Sequence, residues 1–258
     1  MEPLISTGLI KGWFNEFYDY WYNTLGGRPI SVMDFHALHF HYRRMYQTIE
    51  TLNWKTNADH LANWQHPRNF SAVFHLVWAH AMNPIPYYTM LKRFKKGMRV
   101  LEFGCSLAPV YRCYREFMAH KKITWVLADI PTHAYHYALY SYHKDADIEN
   151  MVVIQENMFD NPLKDVDGLF DIIFINTVFE HLQNPLHIAR YLHQRLKPGG
   201  YLVFDYIKSD ARGLDTPKGL EERVPTLQFI ERNYDIVEGR IYPLEDSIRF
   251  AVGKKKAE

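Results

Sequence analysis

Cysteine is scarce in this chain: Cys105 and Cys113 are the two among 258 residues. They lie close together without zinc-type spacing, which excludes a disulfide framework and a cysteine metal knuckle and leaves two free thiols of a reducing compartment. Excess charge is missing too. The 30 basic and 29 acidic residues leave a formal charge of +1, which argues against a protein whose main partner is a phosphate backbone. No apolar run is long enough to cross a bilayer. The opening MEPLISTGLI has no cationic segment followed by an apolar stretch, so no secretory leader is expected. Internal repeats and low-complexity tracts are absent. What is plentiful is apolar and aromatic material, 47% and 16% of residues, enough for a large core.

That material falls into two textures. Residues 1–97 are crowded with aromatics and histidines, as in WFNEFYDYWY and FHALHFHYRRMY, and show no period-two alternation. The spacing predicts helices over roughly 9–24, 32–50, 58–64, 70–82 and 86–95, with Pro84 and Pro86 interrupting the ladder before the last. From Met98 onward short apolar runs take over: RVLEF, ITWVLAD, MVVIQ, FDIIFIN and GYLVFDY. They alternate with helical spacing over roughly 109–119, 132–143 and 185–196, and LKPGG stops the last of these. Short, almost wholly apolar strands separated by helices indicate an α/β fold with a parallel sheet covered on both faces. The tail YDIVEGRIYPLEDSIRFAVGKK reads as two more strands closing one edge. Two regions follow: a helical cap over 1–97 and a sheet domain over 98–258.

In an open parallel sheet, ligands bind beyond the carboxyl ends of the strands. The first such end is RVLEFGCSLAPVYRCY, which has one glycine where nucleotide-binding turns usually have two or three. Gly104 lets the backbone approach a ligand closely, and Pro109 suits the first position of the following helix. Glu102 places a carboxylate in an apolar strand, which calls for a partner and suits a cationic ligand better than a pyrophosphate. Asp129 ends the second strand where an acidic residue binds ribose hydroxyls in such folds.

VLEFGC, LADIP, FDIIFINTVFEHLQNP and RLKPGGYLVFDY, in this order and spacing, resemble the successive motifs of class I S-adenosylmethionine-dependent methyltransferases, in particular the small-molecule branch that includes quinone-biosynthesis enzymes. The resemblance covers about residues 98–252 and leaves the amino-terminal third unmatched. It implies a Rossmann-like, seven-stranded, mostly parallel sheet with helices on both faces, plus a helical lid, and S-adenosylmethionine as cofactor. By the same resemblance Gly104, Cys105 and Ser106 border the methionine part of the cofactor, with Glu102 as a partner of that moiety. Asp129 takes the ribose hydroxyls, Ile130 packs on the adenine, and Asn157 stands where the family often has an aspartate, with Met158 beside the ring. Asn176 and Thr177 lie under the reactive methyl. The family's G-x-G-x-G turn is here Gly104-Cys105-Ser106-Leu107-Ala108; a positive φ at Ser106 would cost on the order of 1 kcal/mol.

A hydroxyl acceptor needs its proton removed, and His181, just after the fourth apolar run, is the candidate base, with Glu180 orienting it or binding the substrate. The alternative is that these two residues cap or hold their loop. Small-RNA 2′-O-methyltransferases resemble this region with a magnesium-binding Glu-x-x-Glu-His, but Thr177 stands where the first glutamate would be, so no metal is expected. His36 and His39 share a helix face that His41 does not, a pattern of packing rather than of metal binding. Trp13, Phe14, Phe17, Tyr18, Trp21 and Tyr22 follow helical spacing and read mostly as packing surface, a subset being available to line a pocket. The expectation is a cytoplasmic methyltransferase for a small organic acceptor, with no nucleic acid or membrane partner and a homodimer as one compatible assembly. Two rivals remain: an RNA- or protein-directed methyltransferase, and a non-catalytic subunit that keeps the fold.

Overall fold

The computed structural model describes residues 9–46, 52–82, 91–208 and 214–256. Four helices open it: α1 (Leu9–Asp19), which widens into a π turn at Tyr20–Thr24, α2 (Val32–Tyr46), α3 (Asn57–Gln65) and α4 (Phe70–Met82). Thr56 starts α3 with a reciprocal capping box: its hydroxyl accepts from the Asp59 N–H while the Asp59 carboxylate accepts from the Thr56 N–H. Of the helix expected over 86–95, the described part is one 3₁₀ turn at Leu91–Arg93. Pro84, Pro86 and the side chain of His41 lie outside the described residues.

The sheet domain runs β1 (Arg99–Phe103), α5 (Pro109–Phe117), β2 (Thr124–Asp129), α6 (His133–Tyr142), β3 (Ile148–Val153), β4 (Phe170–Ile175), α7 (Pro185–Arg195), β5 (Leu196–Tyr206), α8 (Pro217–Glu221), α9 (Arg223–Asn233), β6 (Tyr234–Gly239) and β7 (Ile248–Lys255). The seven strands stand in the order β3-β2-β1-β4-β5-β7-β6, with β7 antiparallel to both neighbours. Leu101 of β1 is aligned with Val126 on one side and Ile173 on the other, so three apolar strands lie buried in the middle. Strand order reverses between β1 and β4, which opens a crevice above their carboxyl ends. Residues 207–233 carried no predicted element; Pro217 and Pro225 obscure the helical spacing there, yet each falls in the first turn of a helix, where proline is tolerated.

The cap is not a separate globule. Trp13, Phe17, Tyr20, Phe35 and Phe74 share one core cluster with Leu107, Ala134 and Tyr137 of the sheet domain. Phe17 meets Tyr137 edge to face at 5.5 Å, and the Trp13 indole donates to the Glu116 carboxylate at 3.1 Å. Arg112 stacks over Trp13 and pairs with Glu16 and Glu116.

Candidate active site

Above the strand ends lies a cavity of about 390 Å3, floored by the loops after β1, β2 and β4 and walled by α3, α4 and the start of α6. The first loop is built on left-handed backbone. Gly104, Ser106 and Ala108 have φ of 64°, 54° and 53°, the three places where the related motif carries glycine. A Cβ on Gly104 would fall 2.3 Å from Val178 Cγ2, so this position excludes any side chain. The N–H groups of Gly104 and Cys105 donate to the Ala128 carbonyl at 2.7 and 3.2 Å, tying the turn to β2.

Two carboxylates hold the loop's geometry. Glu102 accepts from Val110 N–H (3.1 Å) and Tyr111 N–H (2.9 Å), so its partner is the amino terminus of α5. That supplies the cap which Ala108, with no capping side chain, lacks. Burial nevertheless pushes the Glu102 carboxyl up to about 8. Asp129 accepts from Ser106 N–H (2.5 Å) and Ile130 N–H (2.7 Å), and burial pushes it up to about 7 against those two donors. Both line the cavity, as do Gly104, Cys105, Ser106, Ile130, Asn176, Thr177 and His181. Burial raises the Cys105 thiol well above its usual value and the Cys113 thiol to about 12, which leaves both inert as nucleophiles.

Three expected site residues do not reach this space. Asn157 lines a second hollow beside Asn57 and Leu61, and Met158 is packed in the core with Val152 and Ile154. Glu180 is 1% exposed, outside the lining, and burial pushes its carboxyl up to about 8. The six aromatics of α1 and its π turn also stay outside: Trp13, Phe14, Phe17, Tyr18 and Trp21 build or pack on the cap core, and Tyr22 is exposed.

Sequence reasoning missed several contributors. Asp205, at the end of β5, accepts from the N–H of Thr177 and, at 3.3 Å, from its hydroxyl, fixing a residue whose φ is 55°. The acid of VFDY at a strand end was the available signal. Asp215 lies with Oδ1 3.4 Å from His181 Nδ1, nearer than the Glu180 oxygen at 3.9 Å from Nε2. Burial pulls the His181 imidazole below the usual histidine range. His60 and Trp64 of α3 and His75 and His80 of α4 complete the wall. Among the described residues, no group of three or more His, Cys, Asp or Glu is placed to hold a metal, and no helix is long and apolar enough to cross a membrane.

A seven-stranded sheet of this order with a cavity at its strand ends is the architecture of α/β folds that bind ligands at the switch point of the sheet. Residues 85–233 match a family model described as a methyltransferase domain, and the chain belongs to that family. It is an S-adenosylmethionine-dependent methyltransferase. Among solved structures, it is similar to an O-methyltransferase family protein from Burkholderia thailandensis at 12% identity and a TM-score of 0.53, over 87% of this chain and 71% of that one. It is likewise similar to a chain in a complex between the Haloferax volcanii Trm112 methyltransferase activator and a methyltransferase, at 15% identity and a TM-score of 0.52, over 80% and 100%. At these identities the likeness is one of fold. No curated protein sequence matches the chain.

Proposed function

We propose that this methyltransferase acts on a small organic acceptor, at oxygen in the first place and at nitrogen next, in a reducing compartment such as the cytosol. The observation that carries this reading is one partly open cavity joining the left-handed β1 loop and Asp129 to His181. Its volume of about 390 Å3 is within the range of small-molecule sites. The cofactor fits the floor of that space. Gly104 is the side-chain-free surface for the methionine part, bordered by Cys105 and Ser106. Asp129 keeps lone pairs beyond its two backbone donors and accepts the ribose hydroxyls. Ile130 and Phe159, both lining the cavity, are the apolar neighbours available to the adenine. Glu102 acts on the cofactor through the loop it braces, since both its oxygens already accept from α5.

When bound, S-adenosylmethionine supplies an electrophilic methyl on a sulfonium. The chain's own part is alignment, exclusion of water and removal of one proton. His181 is neutral near pH 7 because burial disfavours its charged form. With Nδ1 turned to Asp215, Nε2 is the nitrogen that accepts the acceptor's hydroxyl proton, and Asp215 steadies the imidazolium that results. Asn176 and Thr177 floor the space below the methyl, Thr177 being held by Asp205.

Calorimetric titration with S-adenosylmethionine tests the assignment. Saturable binding is expected for the wild type, abolished by Asp129→Ala and strongly weakened by Gly104→Val. Equal affinity in all three proteins overturns it.

A further inference from the structure

Thr177, after β4, stands in a backbone conformation that its side chain disfavours. Its φ is 55°, and among the described residues it is the one β-branched residue in the left-handed region. Such conformations persist only where the surroundings hold them, and they collect at working sites. The holder here is Asp205 at the end of β5. This acid is 9% exposed and lies outside the cavity lining. Among the described residues its carboxylate hydrogen-bonds to Thr177 alone, accepting from the N–H and, at 3.3 Å, from the hydroxyl. A glycine would adopt this φ freely and would need no buried acid to keep it there. A strained threonine with an acid to grip it points to a conformation that is fixed, where glycine would merely allow it.

What the turn delivers is Val178. A Cβ on Gly104 would meet Val178 Cγ2 at 2.3 Å, Cγ1 at 2.9 Å and Cβ at 3.2 Å, so both methyls sit where a side chain at position 104 would project. The N–H groups of Gly104 and Cys105 donate to the Ala128 carbonyl, which ties the same turn to β2. Gly104 is thus fixed by β2 through its amide and by Val178 through its α-carbon. Val178 is a firm wedge, 8% exposed and packed in the core cluster that contains Phe103, Ile175 and Phe204. Close-packed interiors pass on a displacement where looser ones would absorb it. The contacts run from Asp205 through Thr177 and Val178 to Gly104, across the neighbouring strands β5, β4 and β1.

We infer that Asp205 is a positioning residue for the cofactor: by locking Thr177 in the left-handed conformation it presses Val178 onto Gly104 and sets the β1 loop where the methionine part of S-adenosylmethionine meets it. The inference rests on the cofactor reading above and adds a residue that touches neither cofactor nor acceptor.

The test titrates the full chain with S-adenosylhomocysteine by calorimetry, at a temperature where every variant is folded, and reads Tm alongside. Asp205→Ala is expected to weaken binding about tenfold, the weight of hydrogen bonds to a charged group. Asp205→Asn keeps an acceptor for the Thr177 N–H and is expected to weaken it by no more than about threefold. In the Thr177→Gly background the left-handed backbone needs no holding, so Asp205→Ala is expected to weaken binding less than about twofold there. A lowered Tm with unchanged S-adenosylhomocysteine affinity assigns Asp205 to stability alone and overturns the role. So does a loss that persists undiminished in the Thr177→Gly background. The last contact has its own test, which stands whether or not Asp205→Ala folds. Gly104→Ala is expected to weaken S-adenosylhomocysteine at least about tenfold by meeting Val178, and Val178→Ala in the same chain to recover at least about threefold of that loss. No recovery overturns the relay. Absence of heat with the wild type is a different failure, that of the cofactor site.

Discussion

His181 is acted on by burial and by a carboxylate in opposite directions. Asp215 faces Nδ1 at 3.4 Å, and its negative charge raises the imidazole's proton affinity, while burial, the larger influence, lowers it. The acid limb of kcat/KM is therefore expected below the ordinary histidine value of 6.5. Asp215→Asn removes the opposing charge, so the limb moves to still lower pH and kcat falls by about tenfold or more. A pH–rate profile of wild type and variant checks this; a limb that stays in place removes Asp215 from the mechanism. Asp215 was invisible in the sequence because it sits in no motif and meets His181 only through the fold. Asp129 was legible because a carboxylate at the end of an apolar strand has few other uses. The role of Glu102 was half legible: its need for a partner showed, but that partner is a pair of backbone N–H groups on the next helix.

At the scale of elements, the β1–α5 connection keeps the shape of a glycine-rich turn with two of its glycines replaced. Ser106 and Ala108 occupy left-handed backbone that a Cβ disfavours, and the strain is balanced by Asp129 gripping Ser106 N–H and Glu102 gripping α5. Ser106→Gly should relieve on the order of 1 kcal/mol and raise Tm by about 2–4 °C, read by thermal unfolding without ligand. No rise would show that Ser106 sits there without strain. Most strands of the sheet domain were readable as short apolar runs, but LKPGG, read as a stop between α7 and the next strand, lies within β5, which begins at Leu196 directly after α7. The other boundaries that failed lie where proline starts a helix instead of ending one, at Pro217 and Pro225.

Around the strand ends, four of the buried carboxyl groups are shifted upward by burial. Burial raises Glu102 and Glu180 to about 8 and Asp129 and Asp205 to about 7, above the 4.5 and 3.8 usual for such groups. The folded chain therefore holds more protons than the unfolded chain between those values, and stability falls as pH rises from about 5 to 8. Glu180→Gln, a neutral isostere outside the cavity lining, should flatten that slope: a higher Tm than wild type at pH 8, with the gain shrinking toward pH 5. Parallel slopes in the two proteins would show that Glu180 is ionised in the folded state throughout. The cap wall was the least readable part, since its histidines acquire meaning only when α3 and α4 lie over strand ends far away in sequence. One detail of the loop reaches beyond catalysis. Cys105 is sealed at 2% exposure between Gly104 and Ser106, its amide tied to β2. An alkylating reagent reaches that sulfur only during moments when the turn comes apart, so the chain carries its own clock for how often the cradle breathes.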